Sequence, residues 1–290
     1  MTLSPASTRP AEAAGALLLG GELAVHRLGF GAMRITGKGI WGPPPDREVA
    51  RHVVRRAVEL GVTCIDTADS YGPGVSEEVL AEALAPYPED LVIATKGGLL
   101  RDGPGRWRRH GRPEHLRRAC EHSLRRLRLE QIPLYQLHAV DPDVPLEDSL
   151  GALVELRQEG KIRHIGLSNV SVDQLDAALA ITAVASVQNR YNLVDRASES
   201  VLERCEADGM AFLPWYPLGA GSLGDPGGRL DVIAGVHGAS RNQVALAWLL
   251  ARSRVMLPIP GTGSVEHLEE NLAAAELSLT DDEMAALDRS

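Results

Sequence analysis

The sequence contains few cysteines and no long apolar run. Its three cysteines, Cys64, Cys120 and Cys205, are far apart and form no CxxC motif, so neither a disulfide nor a zinc site is expected. A reducing cytoplasm suits this cysteine usage. No apolar stretch approaches the roughly 18 residues of a membrane-spanning helix, so no transmembrane segment is predicted. Aromatics are also scarce, with only two Phe, which leaves Leu, Val, Ile and Ala to build the core.

Positive charge is also in short supply. The formal net charge is −9, and an acidic protein gains nothing from counterion release on DNA or RNA. Nucleic acid is therefore not an expected partner. The basic stretch Arg106–Arg128 is a local exception, which we interpret as a solvated helix face plus a loop.

The alternation of elements favours one large α/β unit. At 290 residues the chain fits a single α/β barrel, and no linker, internal repeat or second domain interrupts it. Short β-like runs alternate with segments of helical periodicity. The predicted strands are Leu28–Met33, Thr63–Asp66, Leu91–Thr95, Leu134–His138, His164–Ser168, Ser186–Gln188, Ala211–Pro214 and Val255–Pro258. The predicted helices are Arg47–Leu60, Ser76–Leu84, Pro113–Leu127, Leu146–Gln158, Val172–Leu179, Glu199–Ala207, Arg241–Leu250 and Val265–Ala274.

Eight strands alternating with helices predict a parallel sheet, and eight is the number that closes a (β/α)8 TIM barrel. The alternative is a doubly wound open sheet, but Leu28–Met33 has only two of the glycines in the GxGxxG fingerprint of a Rossmann domain. Leu17–Leu19 and Leu23–Val25 flank a Gly-Gly pair and predict an N-terminal β-hairpin that closes the bottom of the barrel. Residues 1–290 are thus expected to form one domain, with Met1–Ala11 as a mobile leader.

Four reactive side chains follow apolar runs at successive predicted strand ends. Asp66 ends the second strand and Tyr71 lies in the loop after it, while Lys96 follows the third strand and His138 ends the fourth. Because reactive residues of a barrel collect at the carboxyl ends of the strands, we expect these four to converge at one corner of the barrel mouth. An acid, a phenol, an amine and an imidazole together suit the reduction of a carbonyl or the oxidation of an alcohol.

The expected chemistry follows from charge at the carbonyl oxygen. Hydride arriving at the carbon builds negative charge on that oxygen, which must receive a proton. A free tyrosine has a pKa of about 10, and a nearby ammonium lowers that value. We therefore expect Lys96, oriented by Asp66, to lower the pKa of Tyr71, which acts as the general acid. A neutral His138 can orient the carbonyl oxygen. The sequence has no metal-ligand cluster, so nicotinamide is the economical hydride source.

The order and spacing of these residues carry a family resemblance. The motifs DTADSYG at 66–72, TKGG at 95–98 and LYQLH at 134–138 resemble the aldo-keto reductase superfamily, and the resemblance runs from Leu28 to Asn271. It implies a TIM-barrel enzyme that binds an extended NADP(H) across the barrel mouth without a Rossmann fold. It also implies a small-molecule carbonyl substrate, with the chain as a monomer or weak homo-oligomer.

The resemblance also implies the residues that hold the nicotinamide. Ser168 and Asn169 in GLSN and Gln188 in VQNRYN match the ligands of its carboxamide, since an amide needs both donors and acceptors. Trp215 lies where the family normally stacks a tyrosine on the ring, and Tyr216 follows where a serine is common, so either ring is a candidate for stacking. The other residues implied near this end of the cofactor are Met33, Pro217, Leu218 and Gly219.

The segment Ile259–Asn271 is the implied site of the adenosine end. Backbone N–H groups and hydroxyls at a helix N-terminus form a natural phosphate site. This chain departs from many members, which have Lys in place of Gly261 and Arg in place of His267. NADPH remains the expected cofactor, with weaker discrimination against NADH. The implied residues are Gly261, Thr262, Gly263, Ser264 and His267 at the 2′-phosphate, with Glu270 and Asn271 facing adenine.

Substrate identity lies in the loops, where the sequence is less specific. Trp41 and Trp107 are candidates for walls of the substrate pocket, although either residue could instead cover the barrel rim. The stretch GGLLRDGPGRW at 97–107 resembles bacterial general oxidoreductases and pyridoxal-type reductases, which slightly favours a polar aldehyde or ketone. Two alternatives remain open: a cofactor-binding regulatory subunit of the same fold, and a Schiff-base barrel enzyme that uses Lys96.

Overall fold

A curled parallel sheet forms the centre of the molecule. The computed structural model describes residues 9–221, 223 and 226–289. The strands are β1 (Ala16–Leu19), β2 (Leu23–His26), β3 (Phe30–Gly31), β4 (Cys64–Asp66), β5 (Val92–Gly97), β6 (Leu99–Gly103), β7 (Arg106–Arg109), β8 (Ile132–Leu137), β9 (Ile162–Ser168), β10 (Ser186–Gln188) and β11 (Ala211–Phe212). Within the described residues, seven of these strands pair in parallel in the order β11-β10-β9-β8-β5-β4-β3.

The predicted eighth strand closes the sheet into a barrel. The amide of Phe212 donates to the carbonyl of Val255 at 2.8 Å, and the amide of Leu257 donates back to the carbonyl of Phe212 at 2.8 Å. On the other side, the amide of Gly29 donates to the carbonyl of Pro258 at 2.9 Å. The segment Val255–Pro258 therefore joins β11 to the strand that begins the sheet. The (β/α)8 barrel is confirmed, and the open doubly wound sheet is excluded.

Helices surround the barrel where hydrophobic periodicity and capping residues predict them. In the first helix, the side chain of Asp46 accepts hydrogen bonds from the amides of Glu48 and Val49, while Val53 and Ala57 are fully buried. The helices are α1 (Arg47–Glu59), α2 (Val75–Leu84), α3 (Pro113–Leu127), α4 (Leu146–Gln158), α5 (Val172–Leu179), α6 (Glu199–Asp208), α7 (Arg229–His237), α8 (Arg241–Arg252), α9 (Val265–Ala273) and α10 (Asp281–Asp288). The sequence patterns did not predict α7 and α10. None of the helices in the described part of the chain is long and apolar enough to span a membrane.

The N-terminal hairpin plugs the bottom of the barrel as predicted. Strands β1 and β2 pair antiparallel, and Leu19 and Val25 pack in one cluster with interior barrel residues such as Leu134. The leader expected over Met1–Ala11 falls mostly outside the described residues. Its last residues, however, belong to a 3₁₀ helix at Pro10–Ala14, in which Ala11 is buried and donates its amide to the carbonyl of Leu60 at 3.2 Å.

A second hairpin stands on the mouth side of the barrel, where the sequence patterns predicted no strand. Strands β6 and β7 pair antiparallel just after β5, with an irregular register between Arg101 and Gly103. Because β5 carries Lys96, this hairpin begins directly beside the predicted catalytic group. It therefore forms part of the surroundings of the site.

Candidate active site

The four predicted catalytic side chains lie together at the carboxyl ends of neighbouring strands. Asp66 ends β4, Lys96 lies near the end of β5, and His138 directly follows β8. The Nζ atom of Lys96 donates to Oδ2 of Asp66 at 2.7 Å and to the hydroxyl of Tyr71 at 3.4 Å. The rings of Tyr71 and His138 meet edge to face with their centroids 5.9 Å apart. A continuous chain of polar contacts thus runs from a carboxylate through an ammonium to a phenol.

Lys96 is a fully buried and fully bonded ammonium. Its side chain has no exposed surface, and its third hydrogen bond goes to the carbonyl of Thr67 at 2.8 Å. Burial lowers the pKa of Lys96, but the Asp66 carboxylate and Tyr71 outweigh burial, so the pKa rises above its usual value. A Schiff base needs a neutral, accessible amine. The geometry therefore disfavours the Schiff-base alternative.

The pKa of Tyr71 is shifted in the direction opposite to the one expected from the sequence. We expected Lys96 to lower the pKa of the phenol, and the ammonium does act in that direction. Burial of Tyr71 nevertheless raises the pKa by more, and the Asp66 carboxylate adds to the rise, so the net direction is upward. Tyr71 therefore holds its proton at neutral pH, and it is in the donor state that protonation of an oxyanion requires.

His138 is buried in its neutral form. Burial, assisted by the positive charge of Lys96, holds the pKa of His138 well below its usual value. Its Nδ1 atom lies 3.4 Å from the hydroxyl of Ser70, and its carbonyl accepts a hydrogen bond from the side-chain amide of Asn169 at 3.0 Å. A neutral imidazole can donate one hydrogen bond without carrying charge into the site.

The second oxygen of Asp66 is held by two amides. Oδ1 accepts from Nε2 of Gln188 at 2.8 Å and from Nε2 of Gln136 at 3.2 Å. Gln136 was not singled out from the sequence, although it lies two residues before His138 and therefore on the same face of β8. Gln188 was expected to face the carboxamide of the cofactor. One N–H of its side-chain amide donates to Asp66, and the oxygen and the other N–H of that amide can bind a ligand.

A cavity of about 480 Å³ opens onto this group. Asp66, Tyr71 and His138 form part of its lining, together with much of the predicted cofactor site. The predicted cofactor residues that line it are Met33, Ser168, Asn169, Gln188, Trp215, Tyr216, Pro217, Leu218 and Gly261. Other predicted cofactor residues lie outside its lining, namely Gly219, Thr262, Gly263, Ser264, His267, Glu270 and Asn271. The mouth of the barrel therefore offers one continuous space beside the proton-transfer group.

Asn169 and Trp215 fix one wall of this cavity. Nε1 of Trp215 donates to Oδ1 of Asn169 at 3.0 Å, while Nδ2 of Asn169 donates to the hydroxyl of Ser168 at 3.0 Å and to the carbonyl of His138. Both ends of the Asn169 amide are thus bonded within the protein. Tyr216 also lines the cavity, and its ring lies edge-on to Trp215 with centroids 6.0 Å apart. Both candidate stacking rings therefore border the same space.

The segment before α9 has the features of a phosphate site. Ser264 caps α9, because its hydroxyl accepts from the amide of His267 at 3.2 Å. A Cβ atom at position 261 would lie 2.5 Å from the carbonyl oxygen of Gly31, so a lysine at 261 would need a backbone shift. This close approach favours glycine at position 261. The glycine backbone and the start of α9 together fit the phosphate end of a dinucleotide.

Arg34 is a cation at this site that the sequence patterns did not reveal. It lines the cavity, and its Cγ atom would lie 3.7 Å from a Cβ atom at Gly261. Among the described residues, no ion pair involves its guanidinium. Only the tertiary fold brings this side chain beside Gly261, because the two residues are far apart in sequence.

The two predicted tryptophans differ in their placement. Trp107, on β7, lines the cavity, and its ring centroid lies 6.4 Å from those of both Tyr71 and His138. Trp41 is not part of the lining. Its backbone pairs with that of Gly72, in the loop after β4, and its ring centroid lies 5.7 Å from the guanidinium carbon of Arg101. Trp107 is therefore the better candidate for a substrate contact.

Comparisons with known proteins agree with this geometry. The model of the aldo/keto reductase family matches residues 27–290. An uncharacterised oxidoreductase of Schizosaccharomyces pombe is 52% identical over 268 residues, which cover 92% of this chain and 87% of the relative. A pyridoxine 4-dehydrogenase of Escherichia coli is 42% identical over 274 residues, which cover 92% of this chain and 96% of the relative.

Two solved structures with a similar fold support the same comparison. The glycerol dehydrogenase of Gluconobacter oxydans superposes with a TM-score of 0.86 at 29% identity, covering 95% of this chain and 94% of the other. An aldo-keto reductase of Klebsiella pneumoniae in complex with NADPH gives a TM-score of 0.80 at 31% identity, covering 94% of each chain. The resemblance in the motifs is therefore confirmed, and the chain belongs to the aldo/keto reductase family of NADP(H)-dependent oxidoreductases.

Proposed function

We propose that this protein reduces a small aldehyde or ketone to an alcohol with NADPH, and that Tyr71 is the general acid. The observation that carries the proposal is the chain of contacts from Asp66 through Lys96 to Tyr71, beside a neutral His138 and open to one cavity. When bound, the nicotinamide supplies the hydride that reaches the carbonyl carbon. The side chains of this protein then have to manage the charge that develops on the oxygen.

Each of the four residues has a distinct part in managing that charge. Tyr71 keeps its proton at neutral pH and releases it to the carbonyl oxygen as negative charge develops there. Lys96 stabilises the phenolate that remains, and Asp66 keeps the ammonium charged and fixed in position. His138 donates a hydrogen bond that orients the carbonyl oxygen towards Tyr71. In alcohol oxidation the same residues act in reverse, and Tyr71 accepts the proton.

We also propose where the protein holds the cofactor. Gln188, Ser168 and Asn169 contact the carboxamide of the nicotinamide, Asn169 through Oδ1, which can accept a second hydrogen bond beside that from Trp215. Trp215 or Tyr216 stacks on the nicotinamide ring. The backbone from 261 to 264 holds the phosphate end, with Glu270 and Asn271 near adenine. Arg34 supplies the cation that Gly261 and His267 do not, because its side chain passes beside Gly261 and faces the cavity.

We further propose a flat heteroaromatic aldehyde of the pyridoxal type as the substrate. Support comes from the pyridoxine 4-dehydrogenase relative, whose sequence this chain matches over nearly its whole length. The indole of Trp107 and the ring of Tyr71 offer edges and faces to an aromatic ring in the cavity.

The proposal is tested by following NADPH oxidation with pyridoxal, aromatic aldehydes, aliphatic aldehydes and keto-sugars. Tyr71→Phe should reduce kcat by at least about 100-fold, because the ring stays and only the transferable proton is lost. Binding of NADPH, followed by fluorescence titration, should stay close to that of the wild type. The matched control is Tyr87→Phe, since the hydroxyl of Tyr87 bonds the carbonyl of Leu127 at 2.9 Å and takes no part in the site.

Two outcomes would contradict the proposal. If Tyr71→Phe retained more than about a tenth of kcat, another group would have to supply the proton. Tight NADPH binding without turnover of any carbonyl compound would instead favour a regulatory subunit of the same fold.

A further inference from the structure

The β6–β7 hairpin contains an arginine whose burial needs an explanation. Arg101 is only 9% exposed, and no ion pair involves it among the described residues. Its guanidinium donates instead to backbone carbonyls, at 2.7 Å to Ile40 and 2.9 Å to Gly39, with longer contacts of 3.4 Å to Ser70 and Gly103. Burying a cation is costly unless its hydrogen bonds are satisfied. The fold therefore buries a cation here, although a neutral side chain would avoid the cost of desolvating a charge.

These carbonyls belong to three separate segments that meet at the cavity. Ile40 and Gly39 precede α1, Ser70 is in the catalytic loop, and Gly103 ends β6. The amide of Gly72 also donates to the carbonyl of Ile40, at 3.3 Å, so Arg101 and the catalytic loop share one acceptor. Ile40 has a φ of 57°, an unfavourable conformation for a β-branched residue, and it lines the cavity. Arg101 therefore holds a strained residue in the wall of the cavity.

The flat face of the same guanidinium supports Trp107. The guanidinium carbon lies 3.8 Å from the centroid of the Trp107 ring and 5.7 Å from that of Trp41. Trp107 is 39% exposed, and its other ring contacts are edge contacts with Tyr71 and His138 at 6.4 Å. An isolated two-stranded hairpin is only marginally stable in water. The cation behind the indole therefore adds a stabilising contact that favours the position of Trp107 beside Tyr71 and His138.

We propose that Arg101 is a positioning residue that holds Trp107 and Ile40 as a rigid wall of the substrate site, and that this wall selects flat aromatic carbonyl compounds over small aliphatic ones. The inference rests on the proposed carbonyl reductase function. A rigid indole face adds contact with a flat ring at little cost in conformational entropy, whereas a small aliphatic aldehyde gains little from it. Arg101 acts through the wall and does not touch the reacting atoms.

The test compares Arg101→Met and Arg101→Lys with the matched control Arg108→Met. Arg108 is an exposed arginine of the same hairpin, and it pairs with Asp102 at 3.1 Å. For an aromatic aldehyde, Arg101→Met should raise KM about tenfold and change kcat less, while KM for propanal changes less than about twofold. NADPH binding should not change. Arg101→Lys should give an intermediate KM, because an ammonium keeps a cation–π contact but lacks the planar fork that bonds Ile40 and Gly39 while its flat face lies against an indole.

A double-mutant cycle with Trp107→Phe shows whether Arg101 acts through the indole. The KM effects of Arg101→Met and Trp107→Phe should then be clearly non-additive. The proposal is overturned if Arg101→Met behaves like Arg108→Met, or if both aldehydes and NADPH binding are affected equally. The latter result would indicate a structural role alone. If Arg101→Met does not fold, the same cycle with Arg101→Lys decides in the same way.

Failure of the proposed function would give a different result. If the protein is not a carbonyl reductase, the wild type will reduce none of the aldehydes. Acrylamide quenching of tryptophan fluorescence then replaces the kinetic measurement. The component that disappears in Trp107→Phe should become more accessible to acrylamide in Arg101→Met than in Arg108→Met. Equal accessibility in both variants would overturn the proposal independently of any activity.

Discussion

Replacement of Lys96 by methionine is the sharpest perturbation of the site. The substitution removes an ammonium with no exposed surface and leaves Asp66, only 2% exposed, without a partner at Oδ2. At the 2.7 Å separation of Nζ and Oδ2, the gross attraction is about 6 kcal/mol for an effective dielectric constant of about 20. Desolvation of the two ions offsets most of this attraction, so the intact pair contributes little net stability.

Removing one partner of the ion pair destabilises the fold by much more than the intact pair stabilises it. An uncompensated buried charge costs about 3–5 kcal/mol, so Lys96→Met should lower the free energy of unfolding by roughly that amount in urea denaturation. The double variant Asp66→Asn/Lys96→Met should recover about 2 kcal/mol of the loss, because no unpaired charge remains. The matched control is Lys161→Met, since Lys161 is a partly exposed lysine that pairs with Glu121 at 2.9 Å. Its loss should cost no more than about 1 kcal/mol.

The same variant also tests the electrostatic role of Lys96 at the phenol. The ammonium opposes the rise in the pKa of Tyr71 that burial causes, so its removal should raise that pKa further. The pH profile of alcohol oxidation should therefore move to higher pH in Lys96→Met. A loss of unfolding free energy below about 1 kcal/mol would refute the argument from buried charge. An unshifted, full-strength pH profile would refute the role assigned to Lys96 in catalysis.

The remaining predictions concern pH and cofactor choice. The rate of carbonyl reduction by the wild type should be constant between about pH 6 and pH 7, because the pKa of His138 lies well below its usual value and the imidazole stays neutral. An inflection of the rate at about pH 6.5 would contradict this. The rate of alcohol oxidation should rise with pH through the alkaline range, because the pH must approach the raised pKa of Tyr71 before the phenolate that accepts the proton forms. A flat profile would exclude Tyr71 as the base. His267→Arg should increase the preference for NADPH over NADH about tenfold by adding a charge-assisted contact, measured as the ratio of the two dissociation constants. Arg34→Ala should weaken NADPH binding by a similar factor, and binding that stays within twofold of the wild type would show that Arg34 does not hold a phosphate.

The sequence by itself determined the fold and which four side chains meet at the mouth of the barrel. Regular alternation of short apolar runs with helical periodicity predicts a (β/α)8 barrel, because each strand needs a crossover helix to reach its parallel neighbour. Once the barrel is given, Asp66, Lys96 and His138 must meet, since all carboxyl ends of the strands point to the same mouth. The short motifs around these residues also sufficed to place Tyr71 in the group.

Only the tertiary structure decided what surrounds that group. The pKa of Tyr71 depends on burial as well as on Lys96, and burial is a property of the assembled fold that a local motif does not contain. Gln136 at Asp66 and Arg34 beside Gly261 became visible only when distant segments met. The β6–β7 hairpin lacks a clear alternating pattern, because its inner face packs on the site through a cation and an indole. The role proposed for this hairpin therefore rests on the contacts of Arg101.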